Sequence, residues 1–287
     1  MTTVKWLPQI HIHPVLLIFI IISFLTGTFI DLLTILVIVL LHELGHFTAA
    51  KIFGWRVRGI MLWVFGGVME TDENGTRPFH EEVLVTLSGP LQHVLIYGLI
   101  FIISGTQALV PSVIEMAYFY NTVILLFNLL PIWPLDGGKL MFLIFSEVMP
   151  FRKSYGFTII LSFCINMIAV VALFSFVSFT LSAFLLFSFL LMDNRKDWKQ
   201  RYYVFVRFLL HRYEGKTRLN RFRSIDIPFD TMLMDVFNLF HRDKNHTIYV
   251  TLANGRRYQL NEAECLHSYF HDRQYRKTAG DIVSHVS

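Results

Sequence analysis

Charge is the first thing this 287-residue chain lacks. Lys, Arg, Asp and Glu together make up 16% of it, whereas hydrophobic residues make up 54%. A soluble domain carries roughly 25% charged residues, so residues 15–192, where long apolar runs dominate, do not read as a soluble fold. Cysteine is equally scarce. Cys164 lies in an apolar run and Cys265 in a polar tail, a placement that suggests neither a disulfide nor a thiolate metal site. A cleaved leader needs a basic start, a short apolar core and a small-residue cleavage site. Here the first apolar run leads directly into a second, and it is expected to stay as a membrane span.

What is present is apolar sequence in lengths that suit a bilayer, where a crossing helix needs about 20 residues. Six segments are expected: 13–25, 30–50, 83–104, 113–130, and two within 155–192 with a break near Ser175. Basic residues collect in alternate connections. Lys51, Arg56, Arg58 and Arg77 follow the second segment, Arg152 and Lys153 follow the fourth, and a basic tail follows the sixth. The other connections contain no Lys or Arg. The bias of basic loops toward the cytosol then places both termini there.

Near the end of the second segment stands His42-Glu43-Leu44-Gly45-His46. Helical residues four apart share a face, so both imidazoles can meet one zinc ion, and Glu43, one step round, can reach a water on it. Ionisable groups in a lipid-spanning helix are costly without partners and mark function. A catalytic zinc needs a third protein ligand and one open position. The candidate is Asp136 in Asn128-Leu129-Leu130-Pro131-Ile132-Trp133-Pro134-Leu135-Asp136-Gly137-Gly138. Pro131 and Pro134 interrupt a helix there, so Asp136 is expected on an irregular segment. The second and fourth segments run in the same direction, which brings both motifs out at one face. Among the other histidines only His93, inside the third segment, lies where it could approach them.

His42, Glu43 and His46, followed two segments later by Asn128, Pro131, Pro134, Asp136 and Gly137, resemble the site-2 protease family of intramembrane metalloproteases. The likeness spans the whole apolar part. It extends to Phe65-Gly66-Gly67, similar to a Gly-rich re-entrant segment, and to Ser88-Gly89-Pro90, similar to the pair that opens the third span. Gln92 and His93 stand where many members have Asn. The resemblance implies Zn held by His42, His46 and Asp136, with Glu43 as general base. Asn128 is the candidate for stabilising the oxyanion. Phe65, Gly66, Gly67 and Pro134 complete the candidate substrate contacts, because an extended substrate could add to an edge strand over residues 65–69. A simple turn at Gly66 and Gly67 is the alternative.

The fold class that follows is mainly α: a six-helix membrane metalloprotease core over residues 1–193, a basic juxtamembrane linker over 194–223, and a small α/β CBS-like domain over 224–287. The linker interleaves Arg195, Lys196, Lys199 and Arg201 with Trp198, Tyr202 and Tyr203, a pattern suited to anionic lipid. No base-reading fold accompanies it, so no direct nucleic-acid partner is expected. In the tail, strands are expected at 225–227, 247–252 and 258–260, with helices at 232–240 and 261–269, an order resembling one CBS motif. A single motif implies homo-oligomerisation or pairing with another protein, and ATP or another adenine nucleotide as ligand. The resemblance is strongest to the sporulation subgroup. It implies a membrane-associated pro-protein substrate, pro-sigma-K, inhibitory integral-membrane partners, and a place in the membrane around the forespore. A metal transporter would show acidic or His-bearing spans in related halves, and none are seen. An inactive scaffold fits poorly with the retained Glu43.

Overall fold

The computed structural model describes residues 8–286 except 64, 65, 72, 74, 76, 107, 177–180, 216–220, 253 and 254. The chain divides into two compact units, Met1–Asn74 with His80–Leu140, and Gly75–Phe79 with Met141–Ser287.

In the first unit β1 (Ile10–Ile12) leads into α1 (Pro14–Thr26) and α2 (Phe29–Ile52), then β2 (Val57–Trp63), β3 (Gly66–Thr71), α3 (Phe79–Thr106) and α4 (Pro111–Asn128). Helix α1 starts where Pro14 supplies a helical φ, and the His13 ring accepts from the Val15 amide at 3.3 Å. It stops at Gly27, whose left-handed φ of 75° closes the last turn. The sheet runs β1-β2-β3, with β1 parallel to β2 and β3 antiparallel to it, pairing Met61 with Val68 and Trp63 with Gly66. Strand β3 is therefore an edge. Leu16, Val39, Phe47, Ile60 and Leu62 join α1, α2 and β2 in one core, and Ile38, Ile96 and Ile100 join α2 to α3. The opposite faces are apolar too: Leu25 is 82% and Phe101 72% exposed. Water would penalise such a surface, whereas hydrocarbon would accommodate it. Among the described residues, Phe29–Ile52, Phe79–Thr106 and Phe151–Ala172 are helices long and apolar enough to cross a membrane.

Two sequence expectations need correction. Asp136 does not sit on irregular chain but opens a further helix, α5 (Asp136–Val148). Gly137 and Gly138 stand in the first turn of that helix, and each packs so closely on the preceding loop that a Cβ would meet backbone atoms at 2.3–2.5 Å. An acid in the first turn also suits the helix dipole. Gly89 and Pro90 do not open α3 either, since that helix begins at Phe79 and carries Pro90 inside it.

In the second unit α6 (Phe151–Phe176) and α7 (Leu181–Tyr213) are linked by Asn166 Nδ2, which donates to the Phe187 carbonyl at 3.3 Å. Helix α7 passes without a break through residues 193 and 194, so the basic segment is its continuation. The tail follows as β4 (Arg221–Pro228), α8 (Leu233–Phe237), β5 (Lys244–Thr251), β6 (Arg257–Asn261), α9 (Glu262–Phe270) and α10 (Ala279–Val286). All five tail elements foreseen in the sequence are there, and α10 is additional. The sheet order is β4-β5-β6, parallel then antiparallel. Alternation along β5 turns His246, Ile248 and Val250 inward, where Ile225, Ile227, Phe237 and Leu260 are also buried. Arg212, near the end of α7, enters this domain. Its guanidinium meets Glu262 at 2.5 and 3.1 Å, donates to the His241 carbonyl at 2.6 Å, and also donates to the Lys244 carbonyl.

Candidate metal centre

One helical turn separates His42 from His46, and both rings are buried. Their Nε2 atoms lie 3.1 Å apart, and each lies 3.1 Å from Asp136 Oδ2. Three donors meet at the corners of a nearly equilateral triangle. With metal bonds of about 2.0–2.1 Å, neighbouring donors of a tetrahedral zinc stand about 3.4 Å apart, close to the observed triangle. Two imidazoles and a carboxylate are also a donor set that zinc accepts, with a fourth position left over. The residues present therefore fit the ion.

Local structure explains how α2, α3 and α5 deliver these atoms. A Cβ on Gly45 would fall 2.5 Å from the Ser88 carbonyl, and one on Gly89 would fall 2.3 Å from His46 Nε2 and 2.8 Å from His42 Cε1. Only glycine at both positions lets α3 lie flat against the two rings. His46 Nδ1 stands 2.7 Å from the Val85 carbonyl, which can only accept, so Nδ1 carries the proton and Nε2 presents a lone pair. Lys139, one turn along α5, donates to Asp136 Oδ1 at 3.0 Å, leaving Oδ2 to face the histidines. Glu43 is 5% exposed. The backbone of Gly67 lies directly on it, since a Cβ there would stand 2.4 Å from Glu43 Cγ.

The sequence-derived candidates divide accordingly. His42, His46 and Asp136 come together, and Gly67 adjoins Glu43. Gly66 lies on the same edge strand, beside Gly67. Pro134 follows a cis peptide bond after Trp133, two residues ahead of Asp136. Asn128 donates to the Ile124 carbonyl at 3.0 Å within its own helix. Phe65 lies outside the described residues. Sequence reasoning missed Lys139 and Asn121. The former becomes visible only once α5 is known to be a helix. The latter had a signal: it is a polar side chain in an apolar segment, and it is fully buried.

Residues 30–112 and 104–173 match the model of Peptidase family M50. Over 283 residues the chain is 38% identical to Stage IV sporulation protein FB of Bacillus subtilis, a match covering 97% of this chain and 98% of that protein. The chain belongs to peptidase family M50. The chain is also similar to Zinc metalloprotease MJ0392 of Methanocaldococcus jannaschii, 32% identical over 119 residues, 40% of this chain and 34% of that protein. Among solved structures, a site-2 protease from Methanocaldococcus jannaschii aligns with a TM-score of 0.53 at 24% identity, over 66% of this chain and 90% of that one. It shares the fold. As an M50 peptidase with apolar helices of spanning length, this protein is a membrane-embedded metalloprotease.

Proposed function

We propose that this chain is an intramembrane zinc endopeptidase in which His42, His46 and Asp136 hold the metal and Glu43 is the general base. The observation that carries this reading is the 3.1 Å triangle of His42 Nε2, His46 Nε2 and Asp136 Oδ2, with buried Glu43 next to His42 in sequence. A bound zinc supplies Lewis-acid activation of water and of the scissile carbonyl. The Glu43 carboxylate takes the proton from the attacking water and passes it to the nitrogen of the leaving amine. Asp136 stays ionised through its contact with Lys139. Asn128 serves as the oxyanion partner once substrate displaces its amide from the Ile124 carbonyl.

A helical substrate must lose its own hydrogen bonds before water can reach a carbonyl. Strand β3 supports a way to replace them, because it is the outer strand of its sheet and its Gly67 packs against Glu43, so an extended segment can pair alongside it. The substrate class is a membrane-associated protein precursor, pro-sigma-K, in the membrane around the forespore, with integral-membrane inhibitors as partners. Six crossings with both termini cytosolic fit the alternation of basic loops. Residues 1–193 act as the membrane domain, 194–223 as a lipid-facing linker, and 224–287 as a CBS-like module supported by its β-α-β-β-α order. That module takes an adenine nucleotide and joins copies of the chain.

Co-expression with pro-sigma-K tests the central reading. Glu43→Gln should abolish cleavage while zinc content stays at the wild-type level. Cleavage that survives the substitution overturns the assignment, and metal flux that survives while no cleavage is ever seen favours a transporter.

A further inference from the structure

We infer that His93 and Asn121 are positioning residues that fix which nitrogen of His42 faces the metal. The inference rests on the proposed role of His42 as a ligand and extends it to two residues on other helices.

His93, on α3, and Asn121, on α4, are both 0% exposed. They form a closed chain of hydrogen bonds. Asn121 Nδ2 donates to the His93 backbone carbonyl at 3.2 Å, a contact that only the amide nitrogen can make. The opposite end of the amide, Oδ1, must then be the acceptor facing His93 Nδ1 at 2.7 Å. It follows that His93 carries its proton on Nδ1. In the neutral ring the other nitrogen, Nε2, is an acceptor, and it lies 3.1 Å from His42 Nδ1. His42 must therefore hold its proton on Nδ1, which leaves its Nε2 lone pair directed at the corner shared with His46 Nε2 and Asp136 Oδ2. Each step removes one of two choices, and the starting point is a backbone carbonyl.

The two ligand histidines thus reach the same protonation pattern by different routes. His46 uses the backbone carbonyl of Val85, whereas His42 uses two buried side chains from α3 and α4. In a helix facing lipid, a buried His and Asn with no partner cost free energy. Here each satisfies the other, and the surplus acceptor is directed at the ligand. Such outer partners of a ligating His typically change metal affinity by about 10–100-fold when lost.

The test uses the full chain in detergent, with zinc affinity measured by competition with a chelator and the cobalt-loaded protein read by its visible d–d absorption. His93→Phe keeps the ring but removes the acceptor, and should weaken zinc binding about 10–100-fold with a shifted cobalt spectrum. His93→Gln puts a carbonyl oxygen near the same place and should restore most of the affinity. Adding Asn121→Leu to His93→Phe should cost little more, because both act through one chain. Nitrogen-15 histidine spectra should show the His42 proton on Nδ1 in wild type and a mixture in His93→Phe. Wild-type affinity and spectrum in His93→Phe overturn the inference, as does a Gln variant no better than Phe. His42→Ala separates the two levels. If it still binds zinc, the centre itself is misread; if it loses zinc while His93→Phe does not, the positioning role alone falls.

Discussion

Gly67 and Glu43 touch: the backbone of the edge strand β3 rests on the methylenes of the buried carboxylate, with no room for a Cβ between them. Substituting Ala at Gly67 must push either the strand or the carboxylate aside. A misplacement of about 1 Å at a reacting group costs on the order of 100-fold in rate. Gly67→Ala and Gly67→Pro are both expected to lose cleavage on that scale while zinc content is unchanged. Initial cleavage rates with metal analysis of the same samples check this, and full activity in either variant removes β3 from the substrate path.

Lys139 holds the second oxygen of Asp136. Lys139→Met keeps the chain length and removes the ammonium, so the carboxylate is free to rotate. A loss of about 10-fold in zinc affinity is expected, read by chelator competition, with helix α5 intact by circular dichroism. Unaltered affinity would show that Asp136 is oriented by its loop alone.

Arg212 is bound by Glu262 and by three backbone carbonyls inside the tail domain. Removing one partner of a buried pair costs about 3–5 kcal/mol. Arg212→Leu should therefore raise hydrogen exchange across β5 and α9, and Arg212→Lys should not rescue it, because an ammonium lacks the planar fork. Exchange unchanged from wild type would mean the contact is dispensable.

The same domain should loosen in acid. Burial, reinforced by Arg223 and Lys244, pushes His241 down to about 4. Burial also lowers His246, although Glu262 opposes the shift. The unfolded chain takes up these protons near the ordinary value of about 6.5, before the folded domain does. Stability from the two neutral rings is thus complete above about 6.5 and is lost as pH falls toward about 4. Limited proteolysis of the full chain between pH 7.5 and 4.5 should show the tail becoming sensitive first, and His241→Phe should flatten the profile. A tail equally resistant at both ends of that range contradicts the assignment.

The helices and the three-atom triangle were legible in the sequence because lipid allows few alternatives. Apolar length marks a span, and His42, His46 and Asp136 are conspicuous where charge is rare. Helix α5 was hidden because Pro131 and Pro134 interrupt the chain just before it, and Gly137 and Gly138, which serve close packing there, suit an irregular loop equally well. His93 was noted, but its partner Asn121 was not, since pairing across α3 and α4 depends on helix rotation, which hydropathy leaves open. The tail elements were legible as short strand and helix patterns, and the capping box at Asn261 and Glu264 shows why α9 starts where it does. The reach of Arg212 into that tail had no local signature.

Helix α7 runs unbroken from Leu181 to Tyr213, which makes it a shaft of about 50 Å at 1.5 Å per residue. With Arg212 keyed into the tail, the azimuth of the tail domain is geared to the apolar start of the same rod. One inserted residue between them would turn the module by about 100°. The number of residues in that stretch is thus itself a structural parameter, independent of which side chains fill it.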